Sequence, residues 1–118
     1  MKINIIINNK TFVTNLENNR TAQAFYNLLP LTLNMSAMPH EKYYYLEQKL
    51  PTNTYKPHFI EEGDLMLYGS SCIVLFYESF STPFSYSKIG KIQDSSHLSN
   101  ELGKEYIVVT FDKIENRI

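Results

Sequence analysis

Apolar and polar residues alternate with period two over several short stretches of this 118-residue chain, the pattern of half-buried β-strands. Ile3, Ile5 and Ile7 alternate with Lys2, Asn4 and Asn8. Asn8-Asn9 is a turn signal, and Thr11-Phe12-Val13-Thr14 is predicted to return as the hairpin partner. Leu31-Thr32-Leu33-Asn34-Met35-Ser36 is the cleanest alternation; it turns Leu31, Leu33 and Met35 towards a core and Thr32, Asn34 and Ser36 away from it. Met38-Pro39-His40-Glu41 reads as a loop, and residues 42–46 as a short strand with Tyr43, Tyr44 and Tyr45 in succession. Residues 51–57, flanked by prolines, have no period. Two apolar runs, residues 65–68 and 72–77, are joined by Gly69-Ser70-Ser71; the second is apolar on both faces, as in a central strand covered on each side. A strand closing on Ile89-Gly90-Lys91-Ile92 follows, and residues 106–111 form a last one with Ile107, Val109 and Phe111 on one face.

Two segments break this rhythm. Asn18-Asn19 offers an N-cap to a helix over residues 21–29, where Ala22, Phe25 and Leu29 share a face, and Pro30 stops it. Asp94-Ser95-Ser96 can cap a second helix over residues 96–102, containing Leu98 and Leu102 and ended by Gly103. Seven or eight short strands with two brief helices and no βαβ rhythm predict a mainly β protein. Antiparallel strands in that number close into a barrel, which removes exposed edges. With no repeat, low-complexity tract or linker, residues 1–118 read as a single domain, long enough to bury a core without disulfides or a structural metal.

Composition sharpens this picture in three ways. The aromatic residues, 14% of the chain and all Tyr or Phe, suit pleated surfaces. A net charge of −1, with nine scattered Lys and only Arg20 and Arg117, removes the electrostatic case for nucleic acid or an anionic membrane surface. Cys72 is the only cysteine, so no intrachain disulfide forms, and its place at the start of an apolar run predicts a buried, inert thiol. The N-terminal apolar run is too short and interrupted for a signal peptide, and the expected location is cytoplasmic.

The segment from Gly63 to Ile92 begins G-D-L-M-L-Y-G and runs strand, tight turn, apolar strand, polar aromatic loop and a strand ending in G-K-I. That order resembles the second half of the cyclophilin barrel, and in particular the small bacterial cyclophilin-like domains, mostly of unsettled function, which carry a very similar G-D-L-M-L-Y-G segment. The resemblance implies a closed antiparallel cyclophilin-like β-barrel with two short helices. It also implies a test for prolyl isomerase activity. Cyclophilins twist a prolyl bond, whose uncatalysed barrier is about 18–20 kcal/mol, with a strand arginine that bonds the substrate carbonyl. Here Arg20 starts the first helix and Arg117 lies in the C-terminal tail, while the strand expected to supply the arginine carries three tyrosines and Lys42, a mobile point charge rather than a planar fork. The counterpart of the pocket histidine falls near Ser85 and Tyr86. The expected function is therefore a non-catalytic binding module for a small molecule or extended peptide; the alternative is a weak or atypical peptidyl-prolyl isomerase.

Other chemistry is sparse. His40, His58 and His97 lack metal-site spacing, and Glu61-Glu62-Gly63-Asp64 reads as a solvated turn; no metal or cofactor is expected. There is no phosphate loop or nucleophile elbow. What remains is aromatic. The resemblance places the working groove on the outer barrel wall beside the central strand, with Tyr43, Tyr45, Tyr55, Phe76, Phe80, Ser81 and Tyr86 as the expected ligand-binding residues. Rings would give apolar contact there, and phenols and Ser81 would fix orientation. A His or carboxylate buried in that cleft with a shifted pKa would favour an enzyme over a binding module.

Overall fold

The hairpin that opens the chain turns on Asn8 and Asn9, both in the left-handed region (φ 51° and 67°) that a two-residue turn requires and asparagine tolerates. In this computed structural model, which describes residues 1–103 and 105–114, it joins β1 (Lys2–Ile7) to β2 (Lys10–Leu16). Helix α1 (Arg20–Asn27) follows, then β3 (Leu31–Met38), β4 (Glu41–Tyr45), β5 (Thr54–Tyr55), β6 (Phe59–Ile60), β7 (Asp64–Tyr68), β8 (Cys72–Phe76), β9 (Phe80–Ser81) and β10 (Tyr86–Ile92). Helix α2 (Leu98–Leu102) and β11 (Ile107–Lys113) complete the order.

Every pairing is antiparallel. The sheet runs β2-β1-β11-β3-β4-β8-β7-β10, and β10 returns to β2 from Gly90↔Leu16 to Ile92↔Thr14, closing an eight-stranded barrel. The expected closed antiparallel barrel with two short helices is the observed one. Closure depends on Gly90, which follows a bulge where β10 passes from β7 to β2: a Cβ there would overlap the Asn15 carbonyl oxygen. Ile3, Ile5 and Ile7 are fully buried inside, with Leu33, Met35, Leu65, Leu67, Ile73 and Leu75.

The differences from the sequence-based expectation lie at element ends. Met38 and Glu41, expected in a loop, pair with each other at the end of the β3–β4 hairpin, because Pro39-His40 turns in two residues with His40 at φ 74°. Helix α1 is capped as expected, the Asn19 side chain accepting from the Ala22 N–H at 2.8 Å, but it stops at Asn27 rather than residue 29. The N–H groups of Leu28 and Leu29 donate to Phe25 and Tyr26, tightening the last turn. Helix α2 starts at Leu98, not Ser96, because the Asp94 carboxylate accepts from the N–H and hydroxyl of Ser96 in a local turn. The two-residue strands β5 and β9 lie in stretches read as irregular, where no period is long enough to see. Arg117 lies outside the described residues. Among the described residues no helix is long and apolar enough to cross a membrane.

Candidate functional site

Alternation fixes which side chains leave the core. On β8, Ile73 and Leu75 point into the barrel, so Cys72, Val74 and Phe76 point out. The same rule sends Met66 outward from β7 and Tyr43 from β4, while Tyr44 and Lys42 turn in. The outer face of β4, β8, β7 and β10 thus carries a second apolar cluster, Ile60, Met66, Cys72, Val74, Phe76 and Tyr86, with Tyr43 and Phe80 packed on it.

Part of that face is open. It forms a cleft of about 300 Å³ with Cys72 and Val74 among its lining residues. Tyr43, Tyr45, Tyr68, Phe84 and Tyr86 also line it, as do Met38 and Glu41. The rings meet at steep angles: Tyr43 and Tyr45 edge to face at 6.0 Å, Tyr68 and Phe84 edge to face at 6.1 Å, and Tyr68 and Tyr86 tilted at 5.7 Å. Met38, Tyr45, Tyr68 and Phe84 are exposed although large and apolar, so this end of the face is wet and uncovered.

Two titratable groups in the cleft are perturbed by their surroundings. Burial pushes the Cys72 thiol up to about 11, with the nearby Glu41 charge adding to it, so the thiol stays protonated and unreactive at neutral pH. Burial likewise raises the Glu41 carboxyl above the ordinary carboxylate range, partly offset by the neighbouring His40. His40 itself stacks on Phe80 at 4.4 Å and pairs with Glu78 at 3.1 Å. No ion pair among the described residues includes Glu41.

Of the residues expected at the site, Tyr43, Tyr45 and Tyr86 line this cleft. Phe76 and Phe80 lie beside it: Phe76 packs edge-on against Tyr86 at 5.6 Å, and against Phe80 at 5.6 Å. Phe80 and Ser81 belong to a small ribbon, β6 with β9, in which Ser81 pairs with Phe59 and is exposed. Tyr55 is registered directly opposite Tyr86 on the edge strand β5, but it is not among the cleft residues. Its phenol is raised first by burial and then by the charges of Asp64 and Glu17. Glu41, Met38 and Tyr68 were not anticipated. Extending the Tyr43/Tyr45 alternation by one step reaches Glu41, and the β7 alternation reaches Tyr68; the loop reading of residues 38–41 hid the first.

Lys42, on the strand where an arginine was expected, faces the barrel interior and is fully buried. Its Nζ donates to the carbonyls of Gly103 (3.2 Å) and Glu105 (2.8 Å) and lies 5.5 Å from the Tyr77 ring centre, so it ties the segment after α2 to the barrel. The Glu61–Asp64 turn, expected to be solvated, is so only in part. Glu61 and Glu62 are exposed, but Asp64 is 4% exposed, its Oδ2 accepting from the Glu61 N–H at 2.9 Å and its Oδ1 without a partner among the described residues. Burial raises its pKa.

A family model described as a cyclophilin-like family matches residues 5–112. No curated protein matches the chain.

Proposed function

The chain belongs to the cyclophilin-like family, and on that footing we propose that it is a non-catalytic binding module whose aromatic cleft takes a small molecule or a short extended peptide. One observation carries this reading: five aromatic rings line one opening of about 300 Å³ over a cluster separate from the barrel core. That combination of apolar walls with a few polar groups is what small-ligand sites use.

The isomerase alternative lacks its central group. No Lys or Arg lines the cleft among the described residues, Lys42 is turned inside, and Arg20 begins α1. A second enzymatic reading has an observation in its favour, because Glu41 is a carboxyl with a raised pKa inside the cleft, the condition a general acid or base needs. Among the described residues the cleft offers it no activated protein nucleophile, since burial pushes the Cys72 thiol up to about 11, so its partner would have to be water or the ligand itself. Thermal-shift screening of small aromatic and aliphatic compounds tests the binding reading, because a specific binder raises the melting temperature by mass action. Tyr45→Ala is the suitable control, since Tyr45 is 62% exposed and contributes little to the core. It is expected to weaken a cleft ligand by about 1–2 kcal/mol with the unliganded melting temperature nearly unchanged. Binders unaffected by Tyr45→Ala and by Tyr43→Ala would place the site elsewhere.

A further inference from the structure

The charges around the cleft restrict what can enter it. Its polar lining consists of phenol groups, the protonated Cys72 thiol and one carboxylate, Glu41, with no cationic side chain among the described residues. Glu41 lines the same opening as Cys72 and Tyr86. An anion would meet Glu41 and the negative faces of the rings, and nothing there would neutralise it. A cation meets the opposite situation: aromatic faces attract it, and a carboxylate outside every ion pair among the described residues lies beside them.

The kind of cation follows from hydration. A free ammonium is compact and strongly hydrated, and the water bonds it gives up on entering are replaced only in part by neutral phenol oxygens and one carboxylate. An alkylated ammonium spreads its charge over methyl groups that need only apolar and ring contact, which Tyr43, Tyr45, Tyr68, Phe84 and Tyr86 provide. A divalent metal would need several oxygen ligands, and the cleft has a single carboxylate. The volume, about 300 Å³, is at the small end of the range for ligand sites and suits a compact head with a few further carbons. Resting on the binding reading above, we infer that the cleft takes the alkylated ammonium group of a small ligand, held between the tyrosine faces and the Glu41 carboxylate.

The test uses the full chain at neutral pH and compares choline with 3,3-dimethyl-1-butanol, its neutral isostere, by calorimetry and by shifts of the cleft tyrosine resonances. Choline is expected to bind at least about 10-fold more tightly than the isostere, and Glu41→Gln to reduce that advantage, the ring faces keeping the remainder. Equal affinities in the unsubstituted protein, or a choline advantage undiminished by Glu41→Gln, would overturn the inference. The first comparison needs no variant, so misfolding of Glu41→Gln cannot obscure it. If the isostere or p-cresol binds at the cleft without any choline preference, the cationic ligand is wrong and the binding reading stands. If none of the three perturbs the cleft at millimolar concentration, the inference falls, and the thermal-shift screen decides the binding reading separately. A short peptide carrying trimethyllysine separates the source of the ammonium: binding 10-fold tighter than choline would keep the head group and overturn its being on a small ligand.

Discussion

Lys42 and Asp64 are the charged side chains that the described barrel buries, and their surroundings differ. Lys42 has two backbone carbonyls as partners, whereas one oxygen of Asp64 has none among the described residues. Desolvation raises the Asp64 pKa more than Lys88 and Lys91 lower it, so the folded state binds the proton more tightly than the unfolded chain. The sign follows: this carboxyl's contribution to stability is fully present below its unfolded pKa and is lost as pH rises through the higher folded value. At pH 7 the ionised group is a net cost. Asp64→Asn keeps one oxygen for the Glu61 N–H and removes the charge, and is expected to raise stability at pH 7 by about 1 kcal/mol, less the demand of its unpaired NH₂. Urea unfolding across a pH series measures it: the gain should shrink as pH falls and the native aspartate takes up its proton. A variant less stable than the parent at pH 7, with a deficit that shrinks as pH falls, would show that the Glu61 N–H, Lys88 and Lys91 stabilise the charge more than burial opposes it. None of this was visible in the letters Glu61-Glu62-Gly63-Asp64, because one residue of an acidic run is buried by pairings with strands distant in sequence.

Between elements, the barrel depends on β10 holding two partners, β7 on one side and β2 on the other. Gly90 permits the approach to β2, so Gly90→Ala must push β2 away or open the seam. The expected cost is about 1–3 kcal/mol, read as a lower midpoint in chemical denaturation with amide exchange rising first along residues 14–16 and 90–92. Retained stability with protected amides at those positions would contradict the closure argument. The strands themselves were legible from period-two alternation, since Ile3, Ile5, Ile7, Leu33 and Met35 sit in the core where the pattern put them. Their ends were less so, because the hairpin through Pro39-His40 depends on a left-handed histidine that sequence does not announce. The cleft divides in the same way. Tyr43 and Tyr45 share a face by alternation alone. Phe84 comes from an aperiodic loop, and the placement of Tyr55 opposite Tyr86 is a long-range register.

Taken as a whole molecule, the closed barrel divides its side chains by side of sheet: inward residues make the core, and outward residues of β4, β8, β7 and β10 line the cleft. A prolyl isomerase working on that outer wall must stabilise a twisted amide whose uncatalysed barrier is about 18–20 kcal/mol, chiefly by strong donation to its carbonyl. The strand that would present such a donor gives its one cation, Lys42, to the inner side, where Gly103 and Glu105 hold it. The outer side has phenols, neutral donors that form weaker bonds than a charged group, and a carboxylate that would repel a carbonyl oxygen. A protease-coupled assay on an alanyl-prolyl peptide is therefore expected to give kcat/KM below about 10⁴ M⁻¹s⁻¹, under the usual enzyme range. Activity above that level, and especially near 10⁷ M⁻¹s⁻¹, would mean that a phenol at Tyr43, Tyr45, Tyr68 or Tyr86 supplies the missing donor. Phenylalanine substitutions at those four positions would then identify it, because each removes one hydroxyl and leaves the ring in place.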